Sequence, residues 1–344
     1  MTKNIAIALS GGIDSLVAAY LLREKGYRLT GIHFLTGYEP ENRQKIGNIS
    51  QQLDITLEIV DCSSAFKSVV VDYFIQTYRH GQTPNPCLVC NPGVKFGTVL
   101  DFARKTGASA LGTGHYARVT KDEAGRFRLF KGADPKKDQS YFLAFLTQRQ
   151  LAQACFPLGN MSKSEVRELA AEKGLCPAVK EESQDICFIR GMGYGEFLVR
   201  HGGFRPKPGP IEDMSGRIIG EHKGLHLFTI GQRRGINCPG PEPYYVVRLD
   251  LGKNRLTVGF KNDLLSGECK VAGINWIVQP PSSPIKIFTR VRYRHNAALS
   301  VLFPIDRHMA VVKFEENQTA ITPGQGAVFY REDEVVGGGW IVKG

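Results

Sequence analysis

The sequence predicts an α/β protein with a parallel N-terminal sheet, a small central domain and a C-terminal β-barrel-like domain. Three observations carry this. The first half alternates short apolar runs with stretches of helical spacing, which is the pattern of parallel strands covered by helices. After about Met192 glycine and proline become frequent, as in Gly202-Gly203 and the run from Arg205 to Pro210, and helical patterns become scarce. From Cys269 to Lys343 short β-like segments follow one another with turn residues between them, as in a small barrel or sandwich. The boundaries read from these shifts are residues 1–192, 193–263 and 264–344.

The elements follow in order. Asn4 to Leu9 is a continuous apolar run, suited to a strand buried on both faces. Asp14 to Lys25 carries Leu16, Val17, Tyr20 and Leu21 at helical spacing, and Gly26 stops it. Leu29 to Phe34 is a second strand, Glu41 to Leu53 a helix, and Ile55 to Val60 a third strand ending at Asp61. Val94 to Lys105 reads as a helix and Ala110 to Gly112 as a short strand. A hairpin turns near Asp122 to Gly125. A helix starts at Ser162, with Glu165 three residues on to complete a capping box. Further strands are expected at 291–293, 300–303, 310–314, 327–330 and 335–342.

The 344 residues are 42% hydrophobic and 22% charged, a globular composition able to bury a sizeable core. No apolar run is long enough to span a membrane. The N-terminus enters a strand directly, without the regions of a signal peptide or an Arg-rich leader. A cytoplasmic protein with no membrane partner is expected. The formal net charge of +11 favours a polyanionic partner. Eight cysteines in such a chain read as buried, metal-binding or catalytic, and not as a disulfide framework.

The first strand runs into Ser10-Gly11-Gly12-Ile13-Asp14-Ser15 and then a helix. Glycines let the backbone turn tightly against a ligand, and the N–H groups at the helix start form an anion site. Ser10 and Ser15 can donate to phosphate oxygens; Asp14 would orient the loop or hold Mg²⁺. The lysine of a Walker loop is missing. This turn matches the S-G-G-x-D-S signature of the PP-loop ATP pyrophosphatases, enzymes that cleave ATP between the α and β phosphates.

In Thr83-Pro-Asn-Pro-Cys87-Leu-Val-Cys90, two cysteines stand at C-x-x-C spacing in a Pro-stiffened segment, and Cys187 sits in a polar run from Glu182. Three readings of the triplet remain open. Cys90 and Cys187 could handle sulfur, one as nucleophile and one as persulfide. All three could hold an iron–sulfur cluster. They could also form part of a zinc site that lacks an evident fourth ligand. Cys62, Cys155, Cys176, Cys238 and Cys269 read as small apolar fillers.

These two segments occur in one order with Thr113-Gly-His-Tyr116, Lys137-Asp-Gln-Ser-Tyr-Phe-Leu143, the Ile-Cys-Phe-Ile around Cys187, Gly220-Glu-His-x-Gly-Leu225, Thr229-Ile-Gly-Gln-Arg-Arg-Gly235 and Thr322-Pro-Gly-Gln325. Together they resemble the tRNA-specific 2-thiouridylases, the MnmA/TrmU family, over essentially the whole chain. The resemblance implies an N-terminal domain like the adenine-nucleotide α-hydrolases. It also implies ATP-dependent adenylation of the 2-carbonyl of the wobble uridine in tRNAs for Lys, Glu and Gln, with an upstream sulfur donor protein or sulfide. A persulfide on Cys187 would attack the adenylated carbon and Cys90 would assist release. ATP would be lined by Leu9, Ser10, Gly11, Gly12, Asp14, Ser15, Phe34 and Gly114. Asn85, Pro86 and Cys87 would surround the target base. His115, Lys137, Asp138, Gln139, Arg292, Tyr293 and Gln325 would touch the tRNA. A 4Fe-4S cluster on Cys87, Cys90 and Cys187 is the alternative sulfur carrier. Arg290, Arg292, Arg294 and His295, read as a β segment, suit phosphate contacts; Arg233 and Arg234 are left unassigned.

The chain departs from the family pattern in several places. Cys87 stands where the family has Asp, Asn91-Pro92-Gly93 replaces Asn-Lys-Glu, and a Lys-Asn-Trp segment after the second strand is absent. Other readings are a PP-loop enzyme that modifies a different tRNA nucleotide, or a small-molecule ATP-dependent synthetase.

Overall fold

The computed structural model describes residues 4–39, 43–179, 186–189 and 191–343. Glu182 to Asp185, Glu41 and Asn42 lie outside the described residues. The N-terminal elements are β1 (Asn4–Ala8), α1 (Ile13–Glu24), β2 (Arg28–Leu35), α2 (Arg43–Leu53), β3 (Thr56–Asp61), β4 (Ala110–Gly112) and β7 (Ala154–Cys155). The five strands form one parallel sheet in the order β3-β2-β1-β4-β7. β1 is apolar from Ile5 on, and Ala6 and Ile7 are fully buried. The chain leaves β1 toward β2 on one side, while β4 lies on the other. Their C-terminal ends therefore bracket a crevice at the topological switch point, where open α/β sheets place ligands.

Two helices between β3 and β4 carry the second half of the site. The first, α3, runs through Ser63–Phe66, Lys67–Val71 and Asp72–Arg79, with the middle piece π-helical. The second, α4, runs through Pro86–Cys90, Asn91–Val99 and Leu100–Lys105, again π-helical in the middle. The helix read from Val94 thus begins eight residues earlier. Pro86 supplies the fixed φ of a first helical residue, where no N–H is needed. Pro92 has no N–H to donate and its ring would clash with the carbonyl four residues back, so the turn there widens. A Cβ on Gly93 would lie 2.6 Å from Val69 Cγ1, so a bare glycine lets α4 close onto the π-helical turn of α3.

β5 (Ala117–Lys121) and β6 (Phe127–Lys131) form the expected hairpin. After α5 (Gln148–Leu151), α6 (Lys163–Glu172) starts at Ser162, which closes a capping box with Glu165 as read from the sequence. α7 (Tyr194–Gly202) leads into a four-stranded sheet of β8 (Gly209–Glu212), β9 (Ile218–His222), β10 (Tyr245–Asp250) and β11 (Arg255–Gly259), in the order β10-β11-β8-β9.

The C-terminal strands are β12 (Leu265–Trp276), β13 (Ile285–Arg290), β14 (Ala298–Pro304), β15 (Met309–Thr319), β16 (Gly326–Arg331) and β17 (Glu334–Val342). They form an antiparallel six-stranded barrel closed by the pairing of β12 with β17. The start of β17 also pairs with β6, through Glu334↔Phe130 and Val335↔Leu129, so the N-terminal hairpin extends the barrel sheet. Residues 291–293, expected as a strand, are instead a bend following β13. His295 N–H donates to the Arg292 carbonyl at 3.1 Å, which turns the chain there.

Candidate active site

The turn after β1 opens into the switch-point crevice. Gly11 has φ 89°, a left-handed conformation that favours glycine, and Gly12 caps α1. The loop is held from within: Ser15 Oγ donates to the Gly12 carbonyl at 2.9 Å and lies 3.2 Å from Ser10 Oγ. Leu9 N–H donates to Ile32 O at 2.8 Å, tying the loop to β2, on which Phe34 is half-buried. Asp14, in the first turn of α1, receives Tyr116 Oη at 2.7 Å and Lys163 Nζ at 2.6 Å. Lys163 is buried at the start of α6 and brings a positive charge to the loop, which has no lysine of its own. Sequence reasoning missed it, although it follows the capping serine that was identified.

The segment after β4, Thr113 to Tyr116, forms the opposite wall. A Cβ on Gly114 would lie 2.8 Å from the Asp14 carbonyl carbon and the Ser15 nitrogen, so only glycine allows this approach. Gln139 fixes the segment by exchanging hydrogen bonds with Tyr116: its Oε1 accepts from Tyr116 N at 3.1 Å and its N–H donates to Tyr116 O at 2.9 Å. The buried His115 then reaches from Thr113 to Lys95. Its Nδ1 is 2.7 Å from Thr113 Oγ1 and its Nε2 is 3.5 Å from Lys95 Nζ. Burial, and then the Lys95 charge, hold its pKa well below the ordinary histidine value. Facing an ammonium donor, the neutral ring accepts at Nε2 and donates from Nδ1 to Thr113.

Lys95 lies in the π-helical part of α4, five residues after Cys90. In an α-helix these two positions would point about 140° apart. Bonding from i to i+5 brings them onto one face. Burial pushes the Cys87 thiol up to about 11, with Lys95 opposing the shift and Cys187 adding to it. Burial pushes Cys90 up to about 12, with the same two groups acting next. Cys87 reaches solvent and Cys90 is half-buried. Exposure and desolvation are reconciled if Cys87 lines a deep cleft where protein surrounds the thiol and displaces most of the water. Cys187, also exposed, sits beside Phe188, which is anchored edge-on among Phe66, Phe74 and Phe197. The structure thus brings Cys87, Cys90 and Cys187 into mutual electrostatic reach.

Among the described residues, no three His, Cys, Asp or Glu side chains are grouped so as to hold a metal ion. The three thiols as placed are therefore not grouped as the ligands of an iron–sulfur or zinc site. Of the presumed fillers, Cys62 and Cys269 are buried, whereas Cys176 is exposed at the surface.

Asn85 is buried just before α4, and its N–H donates to Tyr73 Oη at 3.3 Å. The strap before it, Thr83-Pro84, is held by Gln325 Nε2, which donates to both carbonyls at 3.1 and 3.0 Å. Other residues read as RNA contacts are likewise engaged inside the protein. Asp138 is buried, accepts from Gly132 and Ser140 N–H, and pairs with Arg290 at 3.2 Å. Arg292 donates to Ile230 O at 2.8 Å and to Thr322 Oγ1. Tyr293 packs on Phe142 with ring centroids 4.2 Å apart, and Lys137 is half-buried. The basic group 290–295 is not a strand with one exposed face. Arg290 and Arg292 turn inward to join the barrel to its neighbours, and burial and the two arginines lower the His295 pKa. Arg294 remains exposed.

A doubly wound sheet with a Ser-Gly-Gly-Ile-Asp-Ser turn at its switch point, and cysteines beside it, defines an ATP-type nucleotide-binding enzyme with a thiol centre. Residues 3–191 match the family described as tRNA methyl transferase HUP domain, residues 195–260 the tRNA methyl transferase PRC-barrel domain, and residues 266–341 the aminomethyltransferase beta-barrel domain. The chain is 53% identical to the tRNA-specific 2-thiouridylase MnmA of Desulfosudis oleivorans, over 98% of this chain and 94% of that protein. It is 42% identical to that of Geotalea uraniireducens, over 98% and 95%, and 44% identical to that of Syntrophotalea carbinolica, over 98% of each. The chain belongs to the tRNA-specific 2-thiouridylase family.

Proposed function

We propose that this chain is a tRNA 2-thiouridylase that activates a uridine 2-carbonyl with ATP and then replaces its oxygen with sulfur. One observation supports this most directly: the four residues from Thr113 to Tyr116 join the two halves of the chemistry. Gly114 and Tyr116 press on the Ser10–Ser15 loop, and His115 meets Lys95 beside the thiols. An adenylated carbonyl formed at the loop would then face a sulfur nucleophile without leaving the crevice.

In this reading the loop N–H groups and the Ser10 and Ser15 hydroxyls bind the ATP phosphates, and Lys163 neutralises charge on the departing diphosphate. Asp14 orients Lys163 through Oδ1, and its carboxylate would also hold Mg²⁺ brought in with ATP. The uridine oxygen attacks the α-phosphorus and diphosphate leaves. The terminal sulfur of a Cys187 persulfide attacks C2, and AMP departs with the original oxygen. Cys90 thiolate then attacks Cys187 Sγ, and the bond from Sγ to the outer sulfur, which is now carried by C2, breaks. This frees the thiocarbonyl and leaves a Cys90–Cys187 disulfide, which an external thiol reduces. Asn85, Pro86 and Cys87, at the start of α4, would surround the base. The substrate is the wobble uridine of tRNAs for Lys, Glu and Gln, splayed from a single-stranded loop and so reached without melting a duplex.

The test is Cys187→Ser. Thiolation should be abolished, with tRNA affinity within about threefold of wild type, since the change preserves size but not sulfur chemistry. Normal turnover would contradict the assignment.

A further inference from the structure

We infer that the central-domain loop Thr229–Gly235 is a phosphate clamp, in which Arg233 and Arg234 grip the RNA backbone next to the target nucleotide. This rests on the tRNA reading above and assigns residues that the site chemistry leaves unused.

The loop is built for rigidity. Gln232 is its hub: its Oε1 accepts from Thr229 N at 3.1 Å and Tyr194 Oη at 3.3 Å, and its Nε2 donates to Leu227 O at 3.1 Å and Arg234 O at 2.8 Å. The backbone is pinned to β10 by Gly231 N–H to Val246 O at 2.8 Å and Val246 N–H to Gln232 O at 2.9 Å. Gly231 and Gly235 have φ of 84° and 85°, and a Cβ on Gly231 would lie 2.7 Å from Ala320 Cβ. Two left-handed glycines thus force Arg233 and Arg234 out of the fold, and both are exposed.

Neither arginine has a carboxylate partner among the described residues, whereas Arg290 is spent on Asp138. The position is also specified. Arg292 bonds Ile230 O at one end of the loop and Thr322 on the other side, and the segment from Thr322 to Gln325 holds the Thr83-Pro84 strap that leads to Cys87. The clamp is therefore coupled through one half-buried arginine to the residues that frame the base. A pinned loop offers its two guanidinium groups without the ordering cost of a free one. A single strand of RNA is the polyanion that fits two exposed cations on a loop tied through Arg292 to the strap before Cys87.

The experiment compares full-length wild type with Arg233→Ala/Arg234→Ala and Arg233→Lys/Arg234→Lys. It measures binding of an unmodified tRNA transcript over a salt series, ATP affinity, and the tRNA KM and kcat for thiolation. The alanine pair should weaken tRNA binding roughly 10- to 100-fold and flatten the slope of log K against log salt by about 1.4, or 0.7 per phosphate. ATP affinity and kcat should stay within about twofold, so the loss falls on KM. The lysine pair should restore the slope. An alanine pair with wild-type affinity and slope would overturn the clamp, as would lost affinity with an unchanged slope. If wild type itself neither binds nor thiolates the transcript, the underlying tRNA reading fails instead.

Discussion

A thiol at about 12 is almost wholly protonated at neutral pH, so Cys90 at rest is a stored nucleophile and not an active one. Its shift comes first from burial, and Lys95 is the group that opposes it. Below such a pKa the thiolate fraction rises tenfold per pH unit. Iodoacetamide labelling followed by mass spectrometry should therefore modify the exposed Cys176 before Cys90 at pH 8. The Cys90 rate should climb about tenfold between pH 8 and 9. Lys95→Met should slow Cys90 further at every pH, by roughly tenfold or more, because a nearby cation favours the charged form. A Cys90 rate equal to that of Cys176 at pH 8 would contradict this description. The second residue of consequence is Asp14, whose carboxylate gathers Lys163 and Tyr116 in the loop. Asp14→Asn should lower thiolation by roughly 10²–10³-fold, the usual scale for losing one preorganised charge, while tRNA affinity is unchanged. Equal activity in the variant would remove Asp14 from the chemistry.

At the level of elements, the site depends on close approaches that only glycine permits. Gly114→Ala would drive a methyl group into the backbone of α1 at Asp14 and Ser15. ATP affinity should fall more than tenfold with little change in tRNA affinity, as calorimetry would show. Loss of both affinities together would mean the crevice is not the ATP site. The N-terminal strands, the Ser162 capping box and the hairpin at Asp122 were legible because their signals are local: apolar runs, Ser-x-x-Glu, and a turn. The π-helical stretch of α4 was not. Pro92 and Gly93 look like helix breakers in the sequence, and only the packing of Gly93 on Val69 explains why the helix continues through them. The bend at 291–293 escaped for a similar reason: Val-Arg-Tyr has β propensity, but the partners of Arg292 lie 62 and 30 residues away. Long-range hydrogen bonds override local preference, and no periodicity reveals them. The motif residues Asp138, Arg292 and Gln325 were identifiable by type, but their inward orientation was not.

Across the whole molecule, the core crosses the boundaries drawn at 192 and 263. One cluster of buried side chains includes Phe74 and Val94 from the helices beside the thiols, Phe197 from α7, and Val328, Tyr330 and Val335 from the barrel. The β6–β17 pairing and the buried Asp138–Arg290 pair tie the same parts together. A chain cut after residue 263 would expose Leu129 and Tyr141 and leave Asp138 without its arginine. Such a fragment should be insoluble or lose near-UV circular dichroism, and the intact chain should show a single transition for its N- and C-terminal parts. A soluble, cooperatively folded fragment would show instead that the barrel is dispensable to the core.

The arrangement of loop, Thr113–Tyr116 wall and thiols makes one overall claim: ATP activation and sulfur delivery occur on a single uridine carbonyl. The most direct measurement is nucleoside mass spectrometry of unmodified tRNA for Lys, Glu or Gln after incubation with the protein, ATP and a persulfide donor, with AMP counted in parallel. One 2-thiouridine at the wobble position per AMP released, and no AMP without tRNA, is the predicted result. Sulfur on another nucleotide, or AMP formed equally well without tRNA, would contradict it.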